Sequence, residues 1–311
     1  MSQNYHDRLS YCYDWSPFYD NPKAFRAAVR EFIDNGVRRF VITISLIGRM
    51  IHDPEMVKFL HQVCREMDVE FCSVHAMDGK NFDLDIPDRE RRPVMFQEHI
   101  KAMEIASEFG CPTYTIHVGA WHHCIKHVDM NLLRPLAIET LEQLVPAAEK
   151  IGIVVAVENS FEPPNSMKEV VGLVEPFASS PNIGICYDTG HAHFMAPYPW
   201  KKMEDYPKSQ HDMWWEHGII EEANALELAQ KYVVTTHIHD NTGYADLHSM
   251  PFDGTLDWYT LMPKLRACPR MMEYQTEIEF DDGVNWAGQL LAPVGGYSIK
   301  RQVETFRKLG F

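Results

Sequence analysis

The sequence predicts a (β/α)8 barrel built as one domain spanning residues 1–311. Three observations carry this expectation. Eight short runs, apolar or alternating and rich in Val, Ile, Tyr and Cys, recur along the chain. A longer segment with helical spacing and a charged face follows each run, and polar residues able to hold a metal stand at the ends of successive runs.

The first run, 8–13 (RLSYCY), leads past Asn21-Pro22 into a helix over 22–35 that Gly36 stops. The second, 37–44 (VRRFVITI), precedes a helix over 53–67, and the third, 70–75 (EFCSVH), precedes one over 92–109 that ends at Gly110. Strand four, 112–118 (PTYTIHV), is paired with a helix over 132–150, and strand five, 152–158 (GIVVAVE), with one over 166–178. Strand six is 182–188 (NIGICYD), followed by a helix at about 219–231, and strand seven is 233–239 (VVTTHIH), followed by 257–267. The eighth unit is strand 272–279 (MEYQTEIE) and a helix over 298–309 opened by Ser298. A doubly wound open sheet is the structural alternative, but nothing resembles a glycine-rich dinucleotide turn after the first strand. No Pro/Gly/Ser linker divides the chain. Residues 194–218 form a loop long enough to be a lid or binding wall.

A hydrophobic content of 45% supplies a barrel core and a ring of helices. The formal charge of -15 opposes binding of a polyanion, whose affinity comes from Lys and Arg on phosphates, so no nucleic-acid partner is expected. No basic and then apolar leader opens the chain, no run is long enough to span a bilayer, and the 7 cysteines form no CxxC pair. These features lead to the expectation of a cytoplasmic protein without disulfides or a membrane partner, acting on a small molecule, and compatible with a homo-oligomer.

In a barrel, groups that act together come from the C-terminal ends of different strands. Here His75, His117, Glu158, Asp188 with His191, His237 with His239, and Glu277 with Glu279 mark the ends of strands three to eight. A single histidine in an apolar strand needs only a hydrogen-bond partner. Carboxylates and imidazoles crowded at six consecutive strand ends would repel one another or shift strongly in pKa, and a cation resolves that conflict. An oxygen-rich set suits Mn²⁺, Mg²⁺ or Co²⁺, and added imidazoles tilt it toward Zn²⁺.

The segments VAVENS (155–160), ICYDTGHAH (185–193), HIHDN (237–241), DLHSMPFDGTLDW (246–258) and TEIEF (276–280) resemble, in order, the strand-end motifs of the sugar phosphate isomerase/epimerase superfamily, with xylose isomerase-like TIM barrels. That resemblance implies metal ligands at Glu158, Asp188, His237 and Glu277, with His191 reaching the substrate. It selects His237 over His239 because His237 and Asp240 fit the family's H-x-x-D/E spacing, and the first Glu of TEIEF over Glu279. Type IV apurinic endonucleases, related barrels that hold three zinc ions, resemble the chain at His75, His117, Glu158, Asp188, His191, His237, Asp246, His248 and Glu277. His75, His117, His191, Asp246 and His248 are therefore candidates for further metal ligands, and the four histidines for substrate contacts. AMDGKNFDLD after His75, and Val-Gly-Ala-Trp after His117, depart from the nuclease pattern.

What the resemblance implies chemically is a metal-dependent isomerase or epimerase of carbohydrate metabolism. Glu158 and Glu277 would move a proton on a sugar or keto-polyol through a metal-stabilised enediolate. The alternatives are a dehydratase or lyase, in which the enediolate expels a β-hydroxyl, and an apurinic endonuclease-like phosphodiesterase with several zinc ions. Trp121, Trp214 or Trp215 could wall a sugar ring. No Gly-rich phosphate cradle follows strands seven and eight, which favours an unphosphorylated substrate, and GGYS at 295–298 is at most a weak anion contact.

Overall fold

Strands β1 (Leu9–Ser10) through β8 (Tyr274–Thr276) all run parallel. The computed structural model describes residues 8–202, 204, 221–278 and 297–311. The strands between are β2 (Arg39–Ile42), β3 (Glu70–Val74), β4 (Thr113–His117), β5 (Val154–Glu158), β6 (Ile183–Asp188) and β7 (Val233–Ile238). Six of them form a continuous ladder in the order β1-β8-β7-β6-β5-β4, and β2 pairs with β3. Two isolated bridges join these pieces: Tyr11 to Phe40 between the β1 and β2 segments, and His75 to Thr115 between β3 and β4. Each strand thus has a neighbour on both sides, so the sheet closes into a cylinder, and the doubly wound alternative is excluded.

The outer helices are α1 (Pro22–Asp34), α2 (Ile44–Met50), α3 (Pro54–Met67), α4 (Arg92–Glu108) and α5 (Met130–Ile151). They continue with α6 (Met167–Val174), α7 (Thr189–Met195), α8 (Ala225–Ala229), α9 (Trp258–Arg266) and α10 (Ile299–Lys308). Local chemistry sets their ends. Asn21 Oδ1 accepts from Ala24 N (3.1 Å) ahead of Pro22, and Ser298 Oγ accepts from Arg301 N (3.1 Å). Gly36 and Gly110 take φ of 89° and 79°, a left-handed turn that lets the chain leave a helix at little cost. A core of aliphatic and aromatic side chains from the strands' outer faces and the helices, among them Phe25, Phe40, Leu60, Ile185 and Trp258, joins the two layers.

Several predicted boundaries move. Strand one shrinks from 8–13 to Leu9–Ser10, because the chain bends into a short 3-10 turn at Ser16–Phe18. Residue 44, expected to end strand two, instead opens helix α2. Helix six stops at Val174, where a 3-10 turn containing Pro176 replaces its predicted last turn, since proline removes a donor. The helix expected at about 219–231 is described only as Ala225–Ala229, and residues 219 and 220 lie outside the described residues. Among the described residues no helix is long and apolar enough to cross a membrane. All 7 cysteines are unbridged.

Candidate metal centre

The strand-end residues converge. Glu158, the last residue of β5, is 1% exposed, and Asp188, the last of β6, is fully buried. His237 in β7 brings its Nδ1 to 3.0 Å from Glu158 Oε1, 3.2 Å from Glu277 Oε2 and 3.9 Å from Asp188 Oδ2. Two donors bound to one ion at about 2.1 Å in tetrahedral directions lie roughly 3.4 Å apart, and these separations bracket that distance. Glu277 Oε2 is buried and accepts no hydrogen bond from the described residues, as expected of an oxygen reserved for a cation. The donor set therefore fits a divalent metal.

A second group lies beside the first. His191 Nε2 is 3.4 Å and His248 Nε2 3.1 Å from the same oxygen of Asp246. In each ring the other nitrogen is committed: His191 Nδ1 donates to the Asn159 carbonyl (3.0 Å) and His248 Nδ1 to the Glu277 carbonyl (3.1 Å). His75 repeats the arrangement, donating from Nδ1 to the Ala76 carbonyl (2.9 Å) and turning Nε2 to within 3.3 Å of Glu158 Oε2. A main-chain carbonyl on one ring nitrogen orients the other as an acceptor, the usual support of a metal-binding imidazole. His117 Nε2 also reaches Glu158 Oε2, at 3.2 Å, while its Nδ1 faces Asp78 at 3.5 Å.

Charge accounts for the electrostatics. Burial alone would depress the His117 imidazole, but the Glu158 carboxylate and then Asp78 carry it up to about 10. His248 likewise reaches about 10, with Asp246 and Glu277 overcoming burial. Burial would raise Glu158, yet His237 and His117 hold it well below the usual carboxylate range. Without an ion, the acids favour the protonated forms of His117, His191, His237 and His248, and a cation would take over that task with release of protons.

Asp188 ties the site to the scaffold. Its Oδ1 caps α7 by accepting from His191 N (2.6 Å), its backbone N–H donates to Asn159 Oδ1 (2.8 Å), and both its oxygens accept from His239 Nε2 at 3.0 Å. His239, expected in strand seven, lies one residue beyond β7 and is fully buried, its ring stacked on His248 at 4.0 Å and 5°. Gly190 makes room for it, since a Cβ there would fall 2.1 Å from the His239 ring.

Other expectations shift. Asp240, which fits the H-x-x-D spacing, faces away from the metal donors: it accepts from Trp258 Nε1 (2.7 Å) and from the backbone N–H of Asn241, Phe252 and Leu256. It anchors the loop that carries Asp246 and His248 back to α9. Trp121 is not at the mouth cavity; it is 36% exposed, with Lys80 and Lys126 over its ring. Trp214, Trp215, Glu279, Gly295 and Gly296 lie outside the described residues, as does most of the 194–218 loop. Sequence reasoning missed Asn159 and Asp78. The Asn immediately after Glu158 was a usable signal for the first, whereas Asp78 had none.

The sequence profile of the xylose isomerase-like TIM barrel family matches residues 48–286. The chain belongs to that family. Similar solved structures are the 3-keto-D-glucoside 4-epimerase YcjR from E. coli in its apo form (TM-score 0.66, 15% identity, 97% of this chain and 98% of that one) and D-psicose 3-epimerase in the presence of D-fructose (0.66, 14%, 97% and 96%). The IolI protein with a bound zinc atom is another (0.63, 15%, 97% and 96%). At these identities the likeness establishes the xylose isomerase-like barrel itself.

Proposed function

We propose that this xylose isomerase-like barrel is a divalent-metal-dependent isomerase or epimerase of a sugar or keto-polyol. The observation that carries the reading is the convergence of Glu158, Asp188, His237 and Glu277 on one point, with ligand atoms within 4.8 Å of one another. The epimerase activity named for two structural relatives is in keeping with it.

A bound divalent cation would supply Lewis acidity, polarising a carbonyl and acidifying the C–H beside it. Glu158 and Glu277, kept ionised by their histidine neighbours, are the proton-transfer groups: one takes the proton from carbon and the other returns it. Return to the adjacent carbon, with the hydroxyl proton passing from one of the two neighbouring oxygens to the other, gives isomerisation, and return to the other face of the same carbon gives epimerisation. His191 and His248, each with Nδ1 held by a main-chain carbonyl, would present Nε2 as an acceptor to a substrate hydroxyl where no second ion is bound. Loss of a β-hydroxyl as water after the same C–H proton is taken would give the dehydratase or lyase alternative.

The set His191, His239, Asp246 and His248 favours a second ion, of zinc-like preference. The phosphodiesterase reading is the weaker one because the cavity beside the metal donors has no Lys or Arg among its described lining residues. The test is solvent deuterium exchange into a panel of aldoses and ketoses by the metal-loaded protein, with ions per chain counted by plasma emission. Label should enter one substrate class only when metal is present. No incorporation across the panel sinks the proton-transfer reading, and three zinc ions with cleavage of abasic DNA would replace it.

A further inference from the structure

A cavity of about 390 Å³ opens from the metal donors toward the ends of β1 and β2. Its inner end is His75, His248 and Glu277, so it is continuous with the candidate metal centre. Its outer end has a different character. Tyr13, Phe18 and Ile44 form an apolar wall, with the Thr43 and Ser45 hydroxyls at its margin. Phe18 and Tyr13 are parallel (8°, 6.2 Å), Trp15 braces Tyr13 edge-on at 5.1 Å, and Tyr19 Oη bonds Ser45 Oγ (2.9 Å), which ties the loop after β1 to the start of α2. Ile44 is 37% exposed. Among the described lining residues no Lys or Arg occurs, and the carboxylates are Asp14 and Glu277.

A polyol chelated at the metal donors would occupy the inner end and leave the aromatic wall wet. The volume falls in the range of pockets that enclose drug-sized ligands, about 300–1,000 Å³. A phosphate at the outer end would face Asp14 with no Lys or Arg among the described lining residues to neutralise it. An apolar ring there would bury Phe18 and Ile44 and expel water. We infer that the outer end is a second subsite for an uncharged ring substituent, so that the substrate is a neutral glycoside and not a free or phosphorylated monosaccharide. This rests on the sugar-enzyme reading above.

The experiment is calorimetric titration of the full-length, metal-loaded protein with methyl β-D-glucoside, phenyl β-D-glucoside and glucose 6-phosphate, with deuterium exchange followed in parallel. The phenyl glycoside should bind roughly tenfold tighter than the methyl glycoside, and the sugar phosphate no tighter than the latter. Phe18→Ala should bring the phenyl-to-methyl ratio toward one. Ile44→Lys, at an exposed position in the first turn of α2, should weaken the phenyl glycoside and strengthen the phosphate. Equal affinity for the two glycosides, tighter binding of the phosphate by the unaltered protein, or an unchanged ranking in both variants overturns the subsite. Exchange into free sugars without a phenyl preference overturns the subsite alone. A phenyl preference with no exchange in any sugar upholds the subsite and removes the isomerase reading, and no binding by any probe overturns both.

Discussion

Gly190→Ala tests whether the ends of β6 and β7 are locked together through His239. Gly190 lies inside helix α7, whose backbone alanine adopts without strain, so space alone decides the outcome. The added Cβ would sit 2.1 Å from His239 Cε1, 2.4 Å from Nδ1 and 2.8 Å from Nε2. The ring cannot retreat without leaving both Asp188 oxygens, each 3.0 Å away, and its stack on His248. Overpacking costs about 1–3 kcal/mol and loss of a hydrogen bond to a charged group about 1.5–3 kcal/mol, while alanine's helix propensity returns up to about 1 kcal/mol. The net expectation is about 1.5–6 kcal/mol of lost stability, read by urea unfolding of the metal-free protein, together with weaker metal binding. In Gly190→Ala/His239→Ala the obstacle is gone, so the double variant should be about as stable as His239→Ala alone, an interaction energy equal in size to the loss in Gly190→Ala. A Gly190→Ala protein with an unshifted midpoint, or a double variant whose loss equals the sum of the singles, would refute the reasoning.

Glu158→Gln should abolish turnover and deuterium exchange with circular dichroism unchanged, and retained activity would remove Glu158 from the mechanism. Glu273, 1% exposed, is raised from its ordinary 4.5 to about 7 by burial, with Ser73 and Thr113 hydroxyls donating to it. Its folded pKa is above the unfolded one, so its contribution is fully present below pH 4.5 and is lost as pH rises through 7, a span worth roughly 3 kcal/mol. Glu273→Gln should flatten that part of the stability profile, and an identical pH dependence in variant and parent would count against the buried carboxyl. Asp240→Ala strands four donors, from Asn241, Phe252, Leu256 and Trp258 Nε1, and should cost roughly 3–5 kcal/mol in urea unfolding. A loss below about 1 kcal/mol would show that Asp240 does not anchor the loop.

The barrel was legible because its strands are short, apolar and followed by amphipathic helices, and because a barrel places chemistry at strand ends, where Glu158, Asp188, His237 and Glu277 stand. What escaped had no periodic signature. Helix α7 is buried on every side, Thr189 to Met195, and so shows no polar face to mark it as a helix. Helix α2 follows β2 within the apolar run VITISLIGRM, in which a buried strand and a buried helix read alike. The spacing of His237 and Asp240 is local, whereas the direction of Asp240 is set by its partners at Phe252, Leu256 and Trp258. The cavity wall depends on the loop after β1 meeting the start of α2 through Tyr19 and Ser45, a contact across 26 residues that no short window of sequence contains.

The cylinder is not equally well riveted around its circumference. From β4 round to β1 the staves share an unbroken ladder, but the β2–β3 panel is held at one joint by Tyr11 N to the Arg39 carbonyl (2.9 Å) and Val41 N to the Tyr11 carbonyl (3.0 Å), and at the other by Ala76 N to the Thr115 carbonyl (2.8 Å). Slow amide exchange should therefore mark the ladder, and faster exchange the margins of that panel. The panel borders the cavity, so a guest of awkward bulk would be accommodated by the wall that gives most readily, while the staves carrying Glu158, Asp188 and His237 keep their places.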